Sequence, residues 1–126
     1  DDRDQAFAAF TNAAAIFQSR GLPLYAAHAD MQLAAFALAN GQWEEVSRIA
    51  DRALPTATAA QNASLMAGLM MMKSEALARL GQPEAAASLL LDSLGWARYG
   101  MASDDEVLSR YGSIAALAAR TEKPAQ

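Results

Sequence analysis

The chain contains no cysteine. That excludes a disulfide framework and any thiolate nucleophile or metal ligand, and it leaves the redox compartment open. Val, Ile and Thr are scarce, which argues against a sheet. Basic side chains are also few. Ten Lys and Arg against 14 Asp and Glu give a formal charge of −4. A nucleic-acid surface needs clustered Lys and Arg, and an anionic membrane surface needs a basic amphipathic helix; neither pattern is present. The longest apolar run, over residues 63–72, includes Ser64 and Gly68 and stops at Lys73, too short to cross a bilayer. Neither a nucleic-acid partner nor membrane insertion is expected. The sequence starts at Asp1 without methionine and shows no signal peptide. This fits a mature exported protein, so export to a periplasm is expected over a cytoplasmic location.

Alanine is abundant, at about a quarter of the 126 residues. It is the best helix former, and its small side chain lets helices approach closely. An all-α chain follows, organised as one domain over residues 1–120 with a frayed tail at 121–126. Six helices are expected. The first carries Phe7, Phe10, Ala14 and Phe17 on one stripe and ends near Gly21. The second runs from Pro23 to about Asn40 and has apolar residues on several sides. The third spans residues 43–54 and turns Val46, Ile49, Ala50 and Ala53 inward; Pro55 ends it, with residues 56–58 as loop and Asn62 or Gln61 as a cap. The fourth covers about 61–80, and the fifth runs from Pro83 to residues 96–99. Gly100 breaks it, and the capping box Ser103-Asp104-Asp105-Glu106 opens the sixth.

Laid over itself at an offset of forty residues, the chain repeats. Gly41-Gln42-Trp43-Glu44 returns as Gly81-Gln82-Pro83-Glu84. Ala6, Val46 and Ala86 align, as do Phe10, Ala50 and Leu90, and Ala14, Leu54 and Leu94. In the alternate helices Met31, Met71 and Tyr111 align, as do Ala37, Leu77 and Leu117. Stacked helix pairs bury faces that a single pair cannot cover. These positions resemble the tetratricopeptide-repeat (TPR) family and its longer-repeat relatives, found in many bacterial proteins. The first copy runs through Ala34, Gly41, Trp43, Val46, Ala50, Ala53 and Leu54, and the second through Ser74, Leu77, Gly81, Ala86, Leu90 and Leu94. The period exceeds the usual 34, and Lys73 stands where the family has a large apolar residue. The resemblance implies a TPR-like antiparallel helix-hairpin array, an α-α superhelix whose concave face is lined by the even-numbered helices.

The resemblance places His28, Met31, Ala35 and Leu38 on that face from the second helix, and Gly68, Met71, Glu75, Ala78 and Arg79 from the fourth. Leu108, Tyr111 and Ala115 come from the sixth. The result is an apolar, Met-rich groove suited to an apolar peptide or helix, because methionine repacks around varied shapes. The Lys and Asn cluster that some family members use to clamp a peptide carboxylate is missing. Trp96, Arg98 and Tyr99, with Tyr111, form a denser group between the fifth and sixth helices and read either as a latch or as a binding edge.

No catalytic constellation stands out. His28 is the only histidine, and its nearest carboxylate, Asp30, lies two residues away and so on another side of a helix. No metal and no cofactor are expected. The carboxylates at residues 1–4, 44–45 and 104–106 sit at helix starts, where the helix dipole accounts for them. The reading is a non-catalytic protein-interaction module or scaffold, not an enzyme. It binds an apolar peptide or helix, or a second copy of itself, through the Met-lined face. The alternative is a carrier of a small apolar ligand, held between helices by Met66, Met70 and Phe36. On the groove assignment, Met71→Glu would abolish binding and leave helicity and melting nearly intact; unfolding would place Met71 in the core.

Overall fold

Every twenty residues the backbone enters the left-handed region and reverses. The positive φ values fall at Gly21 (69°), Gly41 (72°), Gln61 (53°) and Gly81 (83°). Each reversal is closed by the same two hydrogen bonds. The N–H of the left-handed residue donates to the carbonyl three positions back, as Gly41 does to Leu38 at 3.1 Å. The next N–H donates five positions back, as Gln42 does to Ala37 at 2.9 Å. This is the Schellman closure, which satisfies carbonyls that a helix end leaves open. The residue that completes it also starts the following helix. The carbonyls of Leu22, Gln42, Asn62 and Gln82 accept from the N–H of Ala26, Val46, Met66 and Ala86, at 2.9–3.1 Å.

A computed structural model describes residues 2–97 of the chain. Among them the fold is all-helical, with α1 (Asp2–Ser19), α2 (Pro23–Ala39), α3 (Trp43–Ala59), α4 (Ala63–Arg79) and α5 (Pro83–Ala97). The expected sixth helix, its capping box at 103–106 and the tail at 121–126 lie outside the described residues. Turns this short oblige consecutive helices to run antiparallel. Each helix packs on the next, and α2 also packs directly on α4, whereas α1, α3 and α5 do not touch one another. The array is therefore drawn together on its even-numbered side and fans open on its odd-numbered side.

One boundary differs from the sequence expectation. Pro55 does not end α3; the helix runs through it to Ala59. Proline costs a helix interior a backbone hydrogen bond and a clash with the preceding turn. The opposing term is burial. Ala53 and Ala57 flank Pro55 along the buried stripe, and both pack with Leu65, Met66 and Leu69 of α4. The chain then turns at Gln61, where a non-glycine residue occupies the left-handed region. The Asn62 side chain caps α4 by accepting from the Leu65 N–H at 3.0 Å.

The core is built mostly from small side chains. Ala26, Ala34, Ala37, Ala50, Ala57, Ala76 and Ala86 have no exposed surface, and Leu33, Ile49, Leu65, Leu69 and Leu90 fill the space between them. Phe7 and Phe10 of α1 pack on Leu33, Ala34 and Ile49. Trp43 packs where Ala37, Val46 and Ala76 bring α2, α3 and α4 together. The buried hydroxyls are bonded within their own helices: Ser74 Oγ donates to the Met71 carbonyl and Ser93 Oγ to that of Leu90. Lys73, anomalous against the TPR pattern, reaches across to form an ion pair with Asp51 of α3.

The turn chemistry can be tested directly. Gln61→Gly removes the left-handed penalty of a side chain and is expected to stabilise the fold by about 0.5–1 kcal/mol. Gly41→Ala is expected to destabilise it by about 1 kcal/mol. Urea denaturation measures both, and a loss of stability in Gln61→Gly would contradict this turn geometry.

Candidate binding face

The direct contact between α2 and α4 depends on one glycine. A Cβ on Gly68 would stand 3.1 Å from Met31 Cε and 3.3 Å from Met31 Sδ, so the Met31 side chain lies against the α4 backbone. Along the same side of α2, His28 and Ala35 are exposed and Leu38 is half-buried. Glu75 is half-buried on α4, and Arg79 is exposed at its end. These positions share the even-numbered side of the array, with Met31 and Gly68 at its middle. His28 is exposed whereas Asp30 is buried, so the two point to different sides of α2, as their spacing requires.

Two of the expected groove residues have other partners. Met71 is 8% exposed and packs with Ala67, Ala78, Ala86 and Leu90 between α4 and α5. It belongs to the core and is not available as a contact residue. Arg79 places its guanidinium over the Trp43 ring, 5.4 Å from the centroid, and so joins the end of α4 to the start of α3. Trp96 is 39% exposed on α5. Arg98, Tyr99, Leu108, Tyr111 and Ala115 lie outside the described residues. Among the described residues no group of three or more His, Asp and Glu side chains is placed to hold a metal ion.

Two further features were not anticipated from sequence. On the odd-numbered side, α1 and α3 stand apart over α2, leaving a cleft of about 180 Å³ lined by Thr11, Ala14, Ala15, Gln18, Asp30 and Arg52. Asp30 is 2% exposed and is gripped by Arg52 in a two-point bond, NH2 to Oδ1 at 2.7 Å and Nε to Oδ2 at 3.2 Å. The separation of 22 residues carries no local signal, because neither side chain can be paired by helical spacing. The second feature is a pair of open clefts at the end of the array that holds the α2–α3 turn. The larger, about 420 Å³, has Phe7 and Phe36 as walls and Arg3, Asp4, Asn40 and Gln42 as rim. Arg3 donates to Asn40 Oδ1 at 3.1 Å across it. The second, about 410 Å³, lies along Gly41, Gln42, Trp43, Glu44, Glu45 and Leu80. Arg3, Asp4 and Asn40 of the first correspond at forty residues to Trp43, Glu44 and Leu80 of the second. The repeat is thus visible in the surface as well as in the core.

Compared with protein-family models, with curated proteins and with solved structures, the chain finds no match.

Two substitutions separate core from surface. Met71→Glu places an unpaired charge in the α4–α5 core and is expected to cost about 3 kcal/mol or more, with a large fall in melting temperature. Arg52→Ala strands a buried carboxylate, whereas Asp30→Ala leaves Arg52, whose side chain is 45% exposed, free to turn to water. Arg52→Ala is therefore expected to be the more destabilising of the two, by about 1 kcal/mol or more. Equal losses in a denaturation series would contradict the assigned burial of Asp30.

Proposed function

We propose that the chain is a TPR-like, non-catalytic interaction module that binds an apolar peptide or helix of another protein along the even-numbered side of its array. The observation that carries this reading is the α2–α4 seam, where Gly68 brings Met31 against the α4 backbone. A preformed, shallow and largely apolar stripe results, running through His28, Met31, Ala35, Leu38 and Gly68. Glu75 adds a charge at its margin. An amphipathic helix laid into such a stripe would bury its own apolar face without rearranging the module. Methionine at the centre tolerates partners of differing shape.

Packing favours this reading over a ligand carrier. Met66 is buried in the α3–α4 core and Met70 packs beside it. Phe36 instead faces Phe7 in the cleft at the end of the array. The three residues of the carrier reading therefore do not line a common pocket.

The test is a selection from a random peptide library displayed on phage. Enriched peptides should carry apolar residues at i, i+3 or i+4 spacing. Ala35→Arg, an exposed substitution on the stripe, should weaken their binding at least tenfold while circular dichroism stays unchanged. Glu44→Arg, at the opposite edge, should have little effect. Binding lost equally in both variants, or lost in neither, would overturn the assignment.

A further inference from the structure

The corner made by the last turn of α1 and the first turn of α2 is apolar where its counterpart one hairpin later is polar. Ile16 is 49% exposed, Leu22 39%, Leu24 36% and Tyr25 60%. Phe17 packs against Tyr25 with ring centroids 5.7 Å apart. Arg20 is the sole charged residue from position 16 to position 25. Forty residues on, the four exposed positions read Thr56, Asn62, Ser64 and Leu65. Leu22 is the most informative of them. It occupies the position preceding α2 and makes no side-chain cap, whereas Asn62 in the same place bonds the Leu65 N–H. An exposed leucine that forgoes a capping bond contributes nothing visible to this fold. Such breaks in local consistency concentrate where a surface is kept for contact.

The repeat indicates what covers that surface. Leu65, the counterpart of Tyr25, is covered by helices of the same array: it packs with Ala27 of α2 and with Ala53 and Ala57 of α3. Tyr25 lies on the equivalent side of α2, and no described helix covers it. We infer that this face pairs with the same face of a second copy of the chain, forming a two-fold dimer centred on Tyr25, Leu22 and Ile16. The size is adequate. Helices of this length are about 25 Å long and pack about 8–10 Å apart, so the α1–α2 face offers on the order of 500 Å² per copy. Two such faces bury about 1,000 Å², the lower bound for a specific interface. The exposed His28 and Gln32 of α2 supply a polar rim, and the single charge at the corner keeps like-charge repulsion small. A face that pairs with itself closes at two chains and does not propagate into a filament.

Light scattering on size-separated protein at about 100 µM should give the mass of two chains, a concentration at which a dimer with micromolar Kd is fully formed. Leu22→Asn supplies the missing cap, so it should raise the melting temperature of the chain and yet weaken dimerisation at least tenfold. Tyr25→Asp should give the mass of one chain with unchanged helicity; if it unfolds instead, Leu22→Asn decides alone. Because the chain has no cysteine, Tyr25→Cys should form a disulfide-linked dimer on oxidation, whereas Thr58→Cys, exposed at the equivalent end of α3, should not. A single-chain mass for the unaltered protein at 100 µM would overturn the proposal. So would a dimer that survives Leu22→Asn, or cross-linking as efficient at position 58 as at position 25.

Discussion

The three-residue reversal closed by a left-handed residue is the constraint on which the rest of the structure depends. It recurs at residues 21, 41, 61 and 81, which fixes α2, α3 and α4 at seventeen residues each. Equal helices joined by equal turns must stack side by side with their ends level. Every backbone carbonyl that the reversal leaves open is closed by an N–H within the same turn or by water, so the turns need few side-chain caps. Asn62 is the exception, and it follows the one turn made without glycine. A short turn also removes freedom from the connection, so the orientation of each hairpin is decided locally before distant contacts form.

Given level helices, the small side chains decide how the layers curve. Alanine at 26, 34, 37, 50, 57, 76 and 86 lets neighbours approach closely, and Gly68 lets α2 reach α4 across the hairpin between them. The odd-numbered helices have no such contact and diverge. This asymmetry produces two different surfaces from one repeat. The drawn-in side carries the apolar stripe around Met31, to which peptide binding is assigned. The open side exposes the floor of the array, and there Asp30 is held by Arg52. A buried ion pair of this kind adds little net stability. It does distinguish the α1–α3 cleft from its counterpart, where Met70 and Asp92 occupy the corresponding positions.

Much of this was legible in the residues. Gly21, Gly41 and Gly81 marked three of the four reversals, and the forty-residue match identified the hairpin as the unit. The finer unit of twenty residues was hidden because the fourth reversal falls on Gln61, a residue with no preference for the left-handed region. Pro55 misled for the complementary reason: its local penalty is real, but the buried stripe through Ala53 and Ala57 outweighs it. Met71 was assigned to the surface because periodicity identifies which side of a helix a residue occupies and not what lies opposite. Its counterpart Met31 meets a glycine and stays half-exposed, whereas Met71 is enclosed by Ala78, Ala86 and Leu90. Asp30 and Arg52 could not be paired from sequence, since their contact depends on the helix crossing and not on spacing along the chain.

The central claim is that alternate helices meet directly, because the inner stripe exists only where α2 and α4 close together. The most direct measurement is a nuclear Overhauser experiment on protein labelled with ¹³C at the methionine methyl groups. The structure places the Met31 methyl carbon 3.1 Å from where a Gly68 Cβ would lie, so a strong cross-peak is expected between the Met31 methyl and the Gly68 α-protons. A Met31 methyl that shows cross-peaks only to residues of α2 and α3 would mean that α2 and α4 stand apart. The inner stripe would then be absent, and with it the proposed binding face.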